Sequence, residues 1–385
     1  MLGVGLVLIG FNLRPLFSSL APVLPELMRS LGVSPLGAGI LTTVPVVCLG
    51  VFALAAPGLA ARYSAERLLL VLLVVLAAGT ALRGVETFPA ILAGSVAGGG
   101  SIAMMNVLLP GLVKRDFPDR AALMTGLYSM SMCGGAAFAA GVTVPLSRAL
   151  HGSWSAALAA WSLPVAAVAL FWALTARRVP RPSSGASAAG FGWVWRHPVA
   201  WQVTAFMGLQ SALAYCVFGW LAPILRERGL DPATAGWVVS VSVFVQVFAS
   251  FAGPWFATRG RDQRATAAVI IVLAVAGLIG LLYAPLEFVW VVAVLQGAGQ
   301  GALFSVLMTI IILRSPDAAV AARLSGMAQG GGYVLAACGP LLLGAIRDRA
   351  GSFAPAGILF AAIGIAAMAA ALGAGRNRLM TRPEA

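Results

Sequence analysis

The sequence predicts an all-α membrane protein with twelve transmembrane helices arranged as two pseudo-symmetric six-helix bundles. Three observations carry that expectation. Of 385 residues, 60% are hydrophobic and only 10% are charged, against about 25% charged in an ordinary soluble domain. A soluble chain of this size would lack an ionic surface, and a disordered one would lack this many apolar residues. Apolar runs long enough to cross a bilayer recur twelve times, and the first six resemble the last six.

The runs fall at 2–28, 36–61, 67–86, 88–113, 121–146 and 154–176, then at 199–226, 234–258, 264–284, 287–313, 320–346 and 353–375. Charged or Pro/Gly-containing breaks separate them. The polar stretch 177–198, with Arg177, Pro180, Pro182, Ser183, Ser184 and Gly185, reads as a cytoplasmic linker between an N-terminal bundle at 1–176 and a C-terminal bundle at 199–385.

Charge sets the orientation. The net charge of +13 would suit a nucleic-acid partner if the basic residues formed a stripe, but they recur in small groups between apolar runs. With the N-terminus inside, seventeen Lys and Arg lie in inner segments and seven in outer ones, so the bias places both termini in the cytoplasm. The four cysteines sit within apolar runs and suggest neither a disulfide framework nor a metal site.

The repeat is visible residue by residue. Leu20-Ala21-Pro22-Val23-Leu24 matches Leu221-Ala222-Pro223-Ile224-Leu225. After a shortened outer loop, Gly32 aligns with Gly229, Pro57 with Pro254, Arg62 with Arg259 and Arg67 with Arg264. Two parallel six-helix repeats are a transporter architecture in which substrate sits near the midplane between them.

The chemistry concentrates on few residues. All twelve acids fall at loops or span ends, and among the basic residues only Arg14 is expected mid-membrane. A central Arg costs about 2.5–3.5 kcal/mol on insertion scales, so an unpaired one is best used on an anion or a strongly polar ligand. On a wheel drawn through the first span, Asn12, Arg14, Pro15, Ser18, Ser19 and Pro22 share one side, while Leu16, Phe17, Leu20, Leu24 and Leu27 form a smooth, lipid-like side. The competing use of Arg14 is to snorkel or to bond loose carbonyls. Asn106, Tyr128, Gln210, Tyr215, Gln300, Gln329 and Tyr333 extend the candidate substrate site, since such side chains can orient a polar ligand or bond across helices. Gln296 shares a face with Gln300 by spacing, as Gln329 does with Tyr333. Glycine clusters at 98–100, 134–135, 297–301 and 330–332 suit close helix packing, because no strand or Gly-Lys-Ser/Thr accompanies them. His151 and His197 lie at loops, and no Ser/His/Asp set or metal-spaced cluster is present. Neither an enzyme nor a bound cofactor or metal is expected. The expected partners are a small molecule and the bilayer, with a monomeric chain and no nucleic acid.

The motifs resemble a known family. Asn12-Leu13-Arg14-Pro15 is similar to the signature of the cyanate/2-nitroimidazole transporter branch of the major facilitator superfamily. So are Asn106 to Pro110 with Lys114-Arg115-Asp116-Phe117-Pro118, Gly126-Leu127-Tyr128, and Leu324 to Gln329 continuing through Gly332-Tyr333. The resemblance covers nearly the whole chain. It implies a secondary transporter of a bacterial inner membrane, moving a small anionic or polar nitrogenous compound by alternating access. One departure stands in the loop between spans 2 and 3. Arg62 occupies the position of the superfamily's Asp and Ala65 that of its Gly, so its acid-based gating contact does not transfer. Arg62, Arg67, Arg259 and Arg264 remain the inner-loop gating candidates, with Arg62 and Arg67 expected to bond helix-end carbonyls. A broad-specificity drug exporter and a non-transporting membrane sensor are the rivals. The first lacks the buried acid that cation export uses, and the second lacks a signalling domain.

Overall fold

The protein is described by a computed structural model covering residues 2–33, 35–175 and 192–381. Linker residues 177–191 lie outside the described residues. No strand occurs among those described. The helices are α1 Leu2–Asn12, α2 Pro15–Ser18, α3 Leu24–Leu31, α4 Pro35–Ala53, α5 Ala56–Arg62, α6 Ala65–Leu82, α7 Phe88–Asp116, α8 Ala121–Ala149, α9 Trp154–Ala160, α10 Ser162–Thr175, α11 Gly192–Arg196, α12 Pro198–Glu227, α13 Pro232–Arg259, α14 Arg264–Tyr283, α15 Val289–Arg314, α16 Ala318–Ala336, α17 Cys338–Ala350 and α18 Ala356–Ala374.

Ten of the twelve expected spans are helical stretches long and apolar enough to cross a membrane, and the other two are the shorter apolar stretches Leu2–Ser18 and Ile40–Ala53. A proline stands at the start of the helix that follows a break in each of these two spans. It lacks the N–H that continues a helix and its ring clashes with the preceding turn. Pro15 opens α2 after a break at Leu13–Arg14, and Pro57 lies in the first turn of α5 after a break at Leu54–Ala55. The chain falls into two compact units, one from residues 1–112 and 131–191, the other from 113–130 and 192–385.

In the first unit, the broken first span feeds the core. Leu20, Val23 and Leu27 pack with Leu41, Ile91, Trp154 and Leu158. The wheel drawn through Asn12 to Leu27 is therefore corrected: Leu16, Leu20 and Leu27 are buried rather than lipid-facing. Two interruptions, at Leu13–Arg14 and at Ser19–Leu20, reset the helical phase, so a single 100° step no longer applies along the span.

In the second unit, α12 runs unbroken for 30 residues with Pro223 inside it. Small residues bring helices into backbone contact. A Cβ on Gly208 would lie 2.9 Å from the Gly332 carbonyl oxygen, and one on Gly297 would lie 2.3 Å from that of Ser242. The core gathers Leu213, Val217, Leu221, Leu278, Leu343 and Phe360. Ile358, Ile365 and Leu372, seven residues apart on α18, are exposed as a bilayer-facing strip should be. Ala337 separates α16 from α17 but keeps helical dihedrals, with its N–H on the Tyr333 carbonyl, and Cys338 beside it is free and exposed.

Candidate functional site

The Asn12-Leu13-Arg14-Pro15 segment is built as a gap in a helix. Because Pro15 has no N–H, the Phe11 carbonyl loses its helical donor. That carbonyl lies against α8 where residue 135 is glycine: a Cβ there would sit 2.0 Å from the Phe11 oxygen. One turn earlier, Ser131 Oγ donates to the Val7 carbonyl at 2.8 Å. Leu13 N–H closes a short turn onto Gly10 at 3.1 Å, and Asn12 Nδ2 donates back to Leu8 at 2.9 Å. The Arg14 carbonyl then starts the next turn, accepting from Phe17 N–H, Ser18 N–H and Ser18 Oγ. Arg14 is thus pinned through its backbone. Its half-buried guanidinium makes no hydrogen bond or ion pair with any described residue. Asn12 Oδ1 is buried without a partner among them.

Arg83, at the end of α6, is a second cation on this segment. It is fully buried, and Nη1 donates to the Leu16 carbonyl at 2.8 Å. That carbonyl lies just before the second interruption of the span. Arg83 Nε and Nη2 have no partner among the described residues. Arg83 thus adds a buried cation at a helix end, apart from Arg14, the one basic residue that the sequence places mid-span.

The second unit gathers the amides and phenols. Gln300 on α15 donates to the Gln210 carbonyl at 3.4 Å, while the Gln210 amide donates to Ser211 Oγ at 2.7 Å. The Tyr215 and Tyr333 rings lie 6.4 Å apart, centroid to centroid. Gln329 Nε2 donates to Ser325 Oγ at 2.9 Å, one turn back on the same helix. Gln296 and Gln300, one turn apart, meet different neighbours: Gln296 Oε1 accepts from Ser242 Oγ on α13. Tyr128 and Asn106 are both buried, Tyr128 in the 113–130 segment that belongs to the second unit and Asn106 on α7 of the first.

The four inner-loop arginines have unlike surroundings. Arg259 stacks 3.5 Å over the Trp255 ring, and Arg264 pairs with Asp262 at 2.7 Å. That pairing holds the Asp262 carboxyl below the usual carboxylate range. Arg62 and Arg67 are exposed, and neither guanidinium bonds a helix-end carbonyl or any other described residue. Sequence reasoning also missed Arg314. It is 1% exposed and donates from Nε to Ala374, from Nη1 to Asn377 and from Nη2 to Gly375 and Gln263. Arg83 carried one signal, since it falls inside the predicted third span. Arg314 lies one residue past a span and carried none.

With this geometry in hand, comparison with known proteins is specific. The profile described as Major Facilitator Superfamily matches residues 2–225 and 208–383. The 2-nitroimidazole transporter of Escherichia coli (strain K12) is 36% identical over 353 residues, covering 91% of this chain and 88% of its own. The cyanate transport protein CynX of the same organism is 31% identical over 352 residues, covering 90% of each chain. A crystal structure of the E. coli fucose:proton symporter FucP shares the fold with a TM-score of 0.79 at 13% identity, over 97% of this chain and 98% of that one.

Proposed function

Since the chain belongs to the Major Facilitator Superfamily and is a multi-pass membrane transporter, we propose that its cargo is a small anionic or polar nitrogenous compound, carried by alternating access. Arg14 is the charge anchor and Asn12 shapes its surroundings. Gln210, Tyr215, Gln300, Gln329 and Tyr333 supply hydrogen bonds, with Asn106 and Tyr128 completing the polar set. The single observation that carries the reading is the Arg14 guanidinium. It is backbone-fixed at a helix gap, half-buried, and without a described protein partner. A cation left unpaired at that depth gains most from a ligand that brings the missing acceptor. The relatives that transport 2-nitroimidazole and cyanate fit such a ligand in size and polarity.

The chain works as a monomer in a bacterial inner membrane with both termini cytoplasmic, and any proton coupling runs through the ionisation of the substrate. The test is a thermal-shift screen of small anions and nitrogen heterocycles on wild type and Arg14→Ala. A ligand binding only the folded state stabilises by about 2.7 kcal/mol at a hundredfold excess over its dissociation constant. The expected result is at least one hit that the variant loses while its unliganded melting stays near wild type. Hits that persist unchanged in the variant would remove Arg14 from the site.

A further inference from the structure

The first unit has a groove of about 590 Å³ on its outer flank, where Val71 is 57% exposed. Phe52, Val71, Gly100 and Met104 line an almost entirely apolar channel, and Tyr63 and Arg67 stand at one end of it. From Arg67 to Val75 the α6 wall runs eight residues, about 12 Å. Arg62 is exposed next to Tyr63, and the adjacent acid, Glu66, is buried. The same end holds the start of α6, capped by Ser64, where a helix favours negative charge.

The second unit supplies an internal control. It too has a groove, about 540 Å³ between α14 and α18, but residues such as Ile271, Val275, Ile365 and Met368 line it and no polar side chain does. Its inner-loop arginines are engaged, Arg259 on Trp255 and Arg264 on Asp262. The repeat-equivalent Arg62 and Arg67 are not.

We propose that the groove of the first unit binds one anionic glycerophospholipid, with an acyl chain along Val71 and the phosphate at Arg67, Tyr63 and Arg62. Apolar walls alone give no preference in a bilayer, because lipid tails already surround every outer face; selectivity resides at the polar end. A guanidinium matches phosphate with a fork of donors, a tyrosine suits the interface, and basic clusters on the cytoplasmic side attract anionic head groups. Salt bridges or stacking of the kind seen at Arg259 and Arg264 would quench that attraction, and none engages Arg62 or Arg67 among the described residues.

Native mass spectrometry of the full chain in detergent tests this, with dioleoyl phosphatidylglycerol and dioleoyl phosphatidylcholine as probes. Wild type should retain one phosphatidylglycerol under activation that strips phosphatidylcholine. Arg67→Gln should lower that retention about fivefold, the worth of one basic contact to an anionic surface. Val71→Trp, which fills the channel with every arginine intact, should also lower it, whereas Arg264→Gln should not. Equal retention of the two lipids overturns the proposal. So does wild-type retention by Arg67→Gln or by Val71→Trp, or displacement of the lipid by an excess of inorganic phosphate.

Discussion

The two units treat equivalent prolines differently. Pro22 and Pro223 occupy the same place in a repeated Leu-Ala-Pro sequence, yet Pro22 sits in a 3-10 turn of a span cut into pieces while Pro223 lies inside a continuous helix. Pro57 and Pro254 repeat the contrast: α5 starts anew around the first, and α13 runs through the second. Proline alone therefore does not decide a break. What differs is the company it keeps. At the position of Arg14-Pro15, the second unit has Tyr215-Cys216, so α12 keeps every donor up to Pro223 and lies backbone to backbone on α16 through Gly208 and Gly332. Along α13, Gly297 and Gly301 of α15 approach the backbone at Ser242 and Gln246, and the helix runs on through Pro254. The lesson is a division of labour. The first unit exposes a charge by opening a helix, and the second holds amides and phenols on intact ones.

Four experiments would break or sharpen that contrast. The largest effect is expected at Arg314, whose three nitrogens serve four acceptors around the start of α14 and the end of α18. Arg314→Met leaves the buried acceptors at Ala374, Gly375 and Gln263 unsatisfied and should cost about 3–5 kcal/mol, read as a lowered melting temperature in detergent. Next comes Gly135→Ala. Its new Cβ meets a backbone oxygen, not a movable side chain, so a loss of about 1–3 kcal/mol follows from overpacking. A wild-type melting temperature would mean that the gap in the first span is free to reshape.

Arg83→Met should be milder, within about 1 kcal/mol. Only one of its nitrogens is used, and replacing an incompletely paired buried ion by an apolar side chain of similar volume is often neutral or stabilising. A penalty as large as that of Arg314 would show that Arg83 is held by more than the Leu16 carbonyl. The smallest effect is expected at Tyr215→Phe, the repeat counterpart of Arg14. Losing one neutral hydrogen bond should weaken ligand binding about 2–10-fold, against about ten- to a hundredfold for Arg14→Ala. Equal losses in isothermal titration would erase the distinction between the charged and the neutral half.

Much of this was legible in the sequence. Apolar runs, the inner bias of basic residues and the repeated Leu-Ala-Pro segment specify the number of spans and their pairing, because bilayer thickness leaves few alternatives. The Arg14-Pro15 pair stood out too, and the structure places it at a helix gap with Arg14 half-buried. The gap itself was less legible. Pro15 announces a freed carbonyl, but whether the helix bends or breaks depends on what receives that carbonyl, and Gly135 is 120 residues away. The buried arginines escaped for the same reason. A charge near a span end looks solvated until a distant partner is known, and Arg314 finds its partners at Gln263, Ala374, Gly375 and Asn377. Spacing on one helix says which side chains share a face but not what they bond: Gln296 meets Ser242 of α13 and Gln300 meets Gln210 of α12.

Cys338 gives the α16–α17 junction a practical use. Its sulfur is exposed, whereas Cys48 and Cys216 are buried and Cys133 is half-covered. Cys338 shares a helix face with the exposed Val334 and Leu341, so the native chain carries an outward, bilayer-facing thiol that a membrane-permeant fluorophore or spin label reaches. Motion of that segment during a transport cycle could be followed by spectroscopy without first building a cysteine-free background.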